Sequence, residues 1–317
     1  MDASYDKNTA IAVLPPIRKL QDKTLRRWLA RSDLHMNERP QELLSGVLDA
    51  LGLPPLHEGL GALRMWGQTG DRPTVWIAAA DPVYLEPRLD HLCLHELTRA
   101  SVQPAELRLL IDHLQETLAE TTNFGFARLG SCGYLRCREP LMTPAVPPYV
   151  VDQQVPSEFL PEGPEAAAFR NLQSEIEMAL HDHEVNQRRV VAGKQPVNSL
   201  WLWGGGMAPQ RKTRGLPRLF ANEPLLHGYW ESGNAVADLW PGTMGEVLEA
   251  CAGGFVAVTP LQQDDDTFLV DCLNALRAAL RSDRVDRLTL LFRDGCRADI
   301  QRSHALKFWR RASALFE

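Results

Sequence analysis

The sequence predicts an α/β protein: a mostly parallel sheet covered by helices, with a β-containing insertion within residues 70–215. Continuously apolar runs at 10–14, 255–259 and 287–292 read as strands buried on both faces. Helical spacing alternates with the later runs, at Glu246–Cys251, Thr267–Arg281 and Ser303–Phe316. Between Glu139 and Pro164, seven prolines (Pro140, Pro144, Pro147, Pro148, Pro156, Pro161 and Pro164) forbid regular helix and mark a long surface crossing.

In chain order, Ala10–Leu14 is a buried strand stopped by Pro15-Pro16. Leu25, Trp28 and Leu29 space a first helix. Leu43, Leu44, Val47, Leu48 and Leu51 space a second, which Gly52 and Pro54-Pro55 end. A strand over Thr74–Ala79 is expected to enter a turn at Asp81-Pro82. Leu107, Leu110, Ile111, Leu114 and Leu118 then mark a helix, and Phe124–Arg128 with Tyr134–Arg138 reads as a hairpin about Gly130 and Gly133. Glu165–Asp182 is an amphipathic helix, and Val197–Trp203 is a strand running into Gly204-Gly205-Gly206.

The chain has 317 residues, with 34 basic against 40 acidic side chains, a net charge of −6 and 44% hydrophobic residues. A nucleic-acid binder would carry an excess of Lys and Arg instead. No apolar run reaches the ~18–20 residues of a membrane span. Met1–Thr9 is polar and lacks the apolar core of a secretory signal, so a cytoplasmic protein is expected. Six scattered cysteines without a CxxC read as small buried apolar residues.

The densest polar signal runs from His181 to Gly206. His183, Asn186 and Arg189 near a helix end, Asn198 before a strand, and Gly204, Gly205 and Gly206 after it could form an anion pocket. Arginine suits phosphate or carboxylate, and glycine amides can approach an anion. The structural alternative is a tight turn with polar helix caps.

This segment, His183-x-Val185-Asn186-x-x-Arg189-x-x-x-Gly193-x-x-Pro196-x-Asn198 followed by Gly204-x-Gly206, resembles the archaeal-type cofactor-independent phosphoglycerate mutases of the alkaline-phosphatase superfamily. Nearly the whole chain resembles the bacterial RpfE-type regulatory proteins, on Ala80-Asp81-Pro82-Val83-x-Leu85, Asn198–Gly206 and Phe308-Trp309-Arg310-Arg311. The resemblance implies a degenerate alkaline-phosphatase-like core formed by 1–69 and 216–317, with 70–215 as the mutase-like insertion. It also implies two metals on Asp and His ligands and a Ser or Thr nucleophile. Those ligands are not recognisable. The run 10–14 ends in Pro15, the run 255–259 leads to Gln262, Gln263 and Asp264-Asp265-Asp266, and Asp294 precedes Gly295 rather than His. Trp203 stands where an Arg is expected.

The expectation is therefore a non-catalytic regulatory or accessory protein, without cofactor or metal, holding a small phosphorylated or carboxylated ligand at His183–Gly206. The alternatives are a metal-dependent phosphomutase or phosphatase with a rearranged site, and a protein–protein interaction module. Three further features bear on this. His91-x-Cys93-x-His95 places three ligand types on one face of an extended strand, without an evident fourth. Asp264-Asp265-Asp266 precedes a helix, where helix-dipole stabilisation explains it as well as a cation does. The last 34 residues carry eight basic against four acidic groups, a charge suited to a protein partner or a second copy of the chain. Neither nucleic acid nor membrane is expected as a partner.

Overall fold

The computed structural model describes residues 8–37, 41–97, 101–119, 123–261 and 265–306. The elements begin with β1 (Thr9–Leu14), α1 (Lys23–Leu29), β2 (Asp33–Met36), α2 (Leu43–Ala50) and α3 (Leu60–Thr69). Next come β3 (Trp76–Pro87), β4 (Leu92–Glu96), α4 (Pro104–Thr117), β5 (Phe124–Leu129), β6 (Cys132–Cys137) and α5 (Pro148–Val151). Then follow α6 (Ala167–His181), α7 (Glu184–Val191), β7 (Ser199–Gly206), β8 (Arg218–Phe220), α8 (Pro224–Ser232) and β9 (Ala237–Asp238). The chain continues through α9 (Met244–Ala250), β10 (Phe255–Val258), α10 (Asp266–Arg281), β11 (Arg287–Phe292) and β12 (Cys296–Gln301). Among the described residues no helix is long and apolar enough to cross a membrane.

Two compact units divide the chain: residues 1–55 with 211–317, and residues 56–210. The first holds a seven-stranded sheet in the order β2-β12-β11-β1-β10-β8-β9. From β11 to β9 the pairs are parallel, and β12 runs antiparallel between β11 and β2. Every residue of β1 is buried, because it lies between β10 and β11 with helices covering the sheet. The covering helices meet it through apolar stripes, as in α10, where Leu269, Cys272, Leu273, Leu276, Ala279 and Leu280 are buried. Asp265 caps that helix, its side chain accepting from Phe268 N at 2.6 Å, and Asp266 Oδ1 accepts from Gln21 N at 3.0 Å. Asp264 lies outside the described residues.

The second unit is built on β3. β7 pairs along one edge, and β6 and then β4 pair along the other. The expected turn at Asp81-Pro82 is instead mid-strand. β6 pairs with β3 up to Ala80 and β4 from Val83, so Pro82 falls in the gap where that edge requires no N–H. The β5–β6 hairpin forms as read, turning at Gly130 with φ +59°. Helices α4, α6 and α7 supply the core on one face, with Leu107, Leu110, Leu114, Phe169, Ile176 and Leu180 packed over Leu200 and Leu202. The other face takes α3, where Gly61 allows close approach: a Cβ there would stand 2.5 Å from Ala79 N. The sequence reading assigned Leu60–Thr69 to the core with 1–69, whereas α3 belongs to this second unit.

The helix read over Glu165–Asp182 forms as α6, ending at the Asp182 cap, and His183 then caps a separate helix, α7. Arg302–Leu306 forms a 3-10 turn, and the rest of the expected terminal helix, including Phe308-Trp309-Arg310-Arg311, lies outside the described residues. All six cysteines are free thiols, five of them buried and Cys251 partly so.

Candidate functional site

The segment 183–206 was the expected ligand pocket, but its donors point into the fold. Arg189 is 2% exposed; its Nε donates to Gln195 O at 2.8 Å and its Nη1 to Ser101 O and Glu106 Oε2, each at 2.9 Å. Asn186 donates to Leu180 O and Val197 O and accepts from Val197 N, all at 2.8 Å. Asn198 bridges β3, donating to Leu85 O at 2.8 Å and accepting from Leu85 N at 2.7 Å. It extends the ladder one residue before β7 begins at Ser199. His183 Nδ1 accepts from Val185 N at 3.2 Å, and its ring lies 4.8 Å from that of His113. Burial, and then the neighbouring His113, hold its pKa below the usual imidazole value.

The glycine triplet is required by packing. Gly204 has φ +61° and lies over Leu60, where a Cβ would come within 2.6 Å of Leu60 Cβ. A Cβ on Gly205 would collide with the Trp76 ring, and one on Gly206 with the backbone of Gly59. The amide of Gly204 donates to Pro144 O at 2.7 Å and that of Gly205 to Thr143 Oγ1 at 2.8 Å. In this structure many of the polar groups of the expected pocket residues His183, Asn186, Arg189, Asn198, Gly204, Gly205 and Gly206 are engaged in holding β7, α7 and β3 together.

Of the His91, Cys93 and His95 stripe, Cys93 and His95 come together with Glu86, their ligand atoms all within 4.8 Å of one another. His91 sits in the turn, exposed and bonded to Asp90 at 2.6 Å. Glu86 could not be found by spacing, because only the β3–β4 register brings it opposite Cys93.

In the first unit, β8, β10, β1 and β11 are parallel, so their carboxyl ends share one edge, where open α/β sheets bind ligands. The runs 10–14, 255–259 and 287–292 end side by side there. Arg293, just beyond β11, donates through Nη2 to Thr259 O at 2.6 Å and stands 3.7 Å from Glu223 Oε1. Asp294 Oδ2 accepts from Arg18 N at 3.1 Å, while its Oδ1 is buried without a hydrogen-bond partner. Beyond β8, His227 Nε2 donates to Ala221 O at 2.8 Å, a bond that leaves Nδ1 as the acceptor nitrogen. The sequence signal for this cluster was slight: polar residues directly after an apolar run. A separate cavity of about 750 Å³ lies at His35, Asn37, Asp49 and Leu291, and its Arg297 is already paired with Asp49 and Asp299 at 2.7 and 2.8 Å.

Against this geometry, the comparisons place the chain near one group of enzymes. No family model matches the chain. A probable 2,3-bisphosphoglycerate-independent phosphoglycerate mutase of Geobacter sulfurreducens is 32% identical over 139 residues, which are 40% of this chain and 32% of that protein. A 2,3-bisphosphoglycerate-independent phosphoglycerate mutase of Methanosarcina barkeri is 29% identical over 124 residues, 38% of this chain and 31% of that protein. These relatives are named as mutases. The chain thus spans about a third of the length of the curated relatives it matches. A solved structure of a Pyrococcus horikoshii protein superposes with a TM-score of 0.50 at 11% identity, covering 93% of this chain and 87% of that one, which is a likeness of fold.

These relatives overturn the expectation of a non-catalytic regulatory or accessory protein. That expectation rested on unmatched ligand positions, whereas the proteins the chain is similar to are named for catalysis. The two-metal pattern implied by the resemblance is a separate matter. Asp294 stands at the carboxyl end of β11, but Gly295, with φ +88°, turns the chain straight into β12 where His was implied. Among the described residues no three His, Cys, Asp or Glu ligand atoms converge at this edge, and the Glu223 carboxylate faces Arg293. Among the described residues the donor set at this edge does not fit two metal ions.

Proposed function

We propose that this protein acts on phosphate esters of small carboxylic acids, as a phosphomutase or phosphatase with a site rearranged at the carboxyl edge of the first unit's sheet. The observation that carries this reading is the 32% identity over 139 residues to a protein named as a probable phosphoglycerate mutase. The edge has suitable chemistry. The Arg293 side chain is 20% exposed, and its 3.7 Å approach to Glu223 can give way to a phosphate. His227 Nδ1, the acceptor nitrogen of that ring, can take a hydrogen bond from a substrate hydroxyl. An alkaline-phosphatase-like ancestry of the core, kinship with the RpfE-type proteins and a cytoplasmic location belong to the same proposal. The quoted sequence segments and the six free thiols support it.

Phosphorus NMR of 3-phosphoglycerate incubated with the purified chain, with and without manganese, tests the reading. A new 2-phosphoglycerate or inorganic phosphate resonance is expected, and Arg293→Ala should slow its appearance roughly 10–100-fold through loss of a charge-assisted contact. An unchanged spectrum under both conditions overturns it.

A further inference from the structure

The β3–β4 hairpin carries a cluster that the phosphate-ester reading does not use. Its register pairs Glu86 with Cys93 and Tyr84 with His95, so all four side chains lie on one face of the sheet. His95 Nε2 is 2.8 Å from Glu86 Oε2, and the Cys93 sulfur lies within 4.8 Å of both ligand groups. We propose that Glu86, Cys93 and His95 form a binding site for one divalent transition-metal ion of the zinc type, with a fourth coordination position left open.

The donor set argues for that class of ion. Magnesium and calcium take oxygen ligands, whereas a thiolate and an imidazole together select zinc and its neighbours. Zinc bonds of about 2.0–2.3 Å place tetrahedral ligand atoms about 3.3–3.8 Å apart, so the cluster needs only side-chain rotation to close on an ion. Three protein ligands and one open position match the sites at which zinc holds water or substrate.

The surroundings orient the ligands. Arg88 Nη2 lies 2.7 Å from Glu86 Oε2, and the Tyr84 ring stacks on His95 with centroids 5.8 Å apart and planes 26° from parallel. The His95 and Glu86 side chains are 21% and 31% exposed, giving an ion a path in, while Cys93 is buried. A histidine–glutamate pair alone accounts for two of the three groups; the thiol within reach of both is what the metal adds. Loading replaces the His95–Glu86 hydrogen bond and releases the thiol proton to water.

Cobalt titration of the full metal-free chain tests the site. One equivalent of Co²⁺ should raise a thiolate-to-cobalt charge-transfer band, which Zn²⁺ then abolishes by displacement. Cys93→Ser should remove the band, Glu86→Gln and His95→Ala should weaken cobalt binding at least tenfold, and Cys137→Ser should leave it intact. Zinc should raise the melting temperature of the wild type and not of Cys93→Ser. A wild type without the band at saturating cobalt, or a band that survives Cys93→Ser, overturns the proposal. Should Cys93→Ser fail to fold by circular dichroism, unchanged cobalt affinity in Glu86→Gln overturns it instead. None of these readouts depends on turnover of a phosphate ester.

Discussion

Arg64 on α3 reaches Asp81 on β3, with Nη1 2.8 Å from both carboxylate oxygens, and Trp203 Nε1 donates to the same carboxylate at 2.7 Å. The guanidinium also donates to Gly133 O at 2.7 Å and lies over the Tyr134 ring, so one side chain ties α3, β3 and β6 together. Replacing it strands a largely buried carboxylate. Arg64→Met should lower unfolding free energy by about 3–5 kcal/mol in urea titration. The double variant with Asp81→Asn should recover most of the loss, since both partners are then neutral. A single-variant loss no larger than that of a surface pair, about 1 kcal/mol, would show the pair to be dispensable.

Arg189 separates a structural from a ligand-binding role for the polar segment. Its bonds to Gln195, Ser101 and Glu106 predict that Arg189→Ala is destabilised by about 3–5 kcal/mol. Calorimetric titration of the still-folded variant with 3-phosphoglycerate should match the wild type. Selective loss of binding at unchanged stability would return this residue to a ligand site.

Gly205 and Gly193 are glycines for different reasons. A Cβ at Gly205 meets the Trp76 ring, so Gly205→Ala should cost about 1–3 kcal/mol by overpacking. Gly193 has φ +71° with open space around its Cβ direction, so Gly193→Ala should cost only the left-handed backbone penalty, about 1–2 kcal/mol. Thermal unfolding compares the two, and adding the larger Gly205→Val should widen the gap at position 205.

Glu96 makes stability depend on pH. Burial, reinforced by the charges of Asp152 and Asp81, pushes its carboxyl up to about 7 from an ordinary 4.5. Because the folded value is the higher one, the contribution is fully present below about pH 4.5 and is lost as pH rises through about 7. The urea midpoint should therefore fall between pH 5 and pH 8, and Glu96→Gln should flatten that fall. An identical slope in the variant would assign the pH dependence to other groups.

The parallel core was legible because strands buried on both faces must be apolar throughout, and β1, β10 and β11 are. Strands β12 and β2 were missed, since β12 alternates buried and half-buried residues and β2 has four residues, none fully buried. Pro82 misled for a different reason: proline excludes a ladder donor, and its tolerance depends on where neighbouring strands stop. Among the site residues, Arg189 and Asn198 have the right chemistry for an anion, but their partners lie 83 to 113 residues away, on Glu106, Ser101 and Leu85. Cys93 and His95 were visible through period-two spacing, while Glu86 joins them through pairing that spacing does not encode.

The position of β1 between β10 and β11 sets a schedule for synthesis. A ribosome releases this strand well ahead of both neighbours, which emerge more than 240 residues later. Until Phe292 has left the tunnel, an apolar ribbon with two bare edges waits in the cell, the kind of segment that chaperones hold. Residues 56–210, by contrast, contain every strand that pairs with β3 and can close while translation continues. The strand at the centre of this sheet thus waits for segments made long after it.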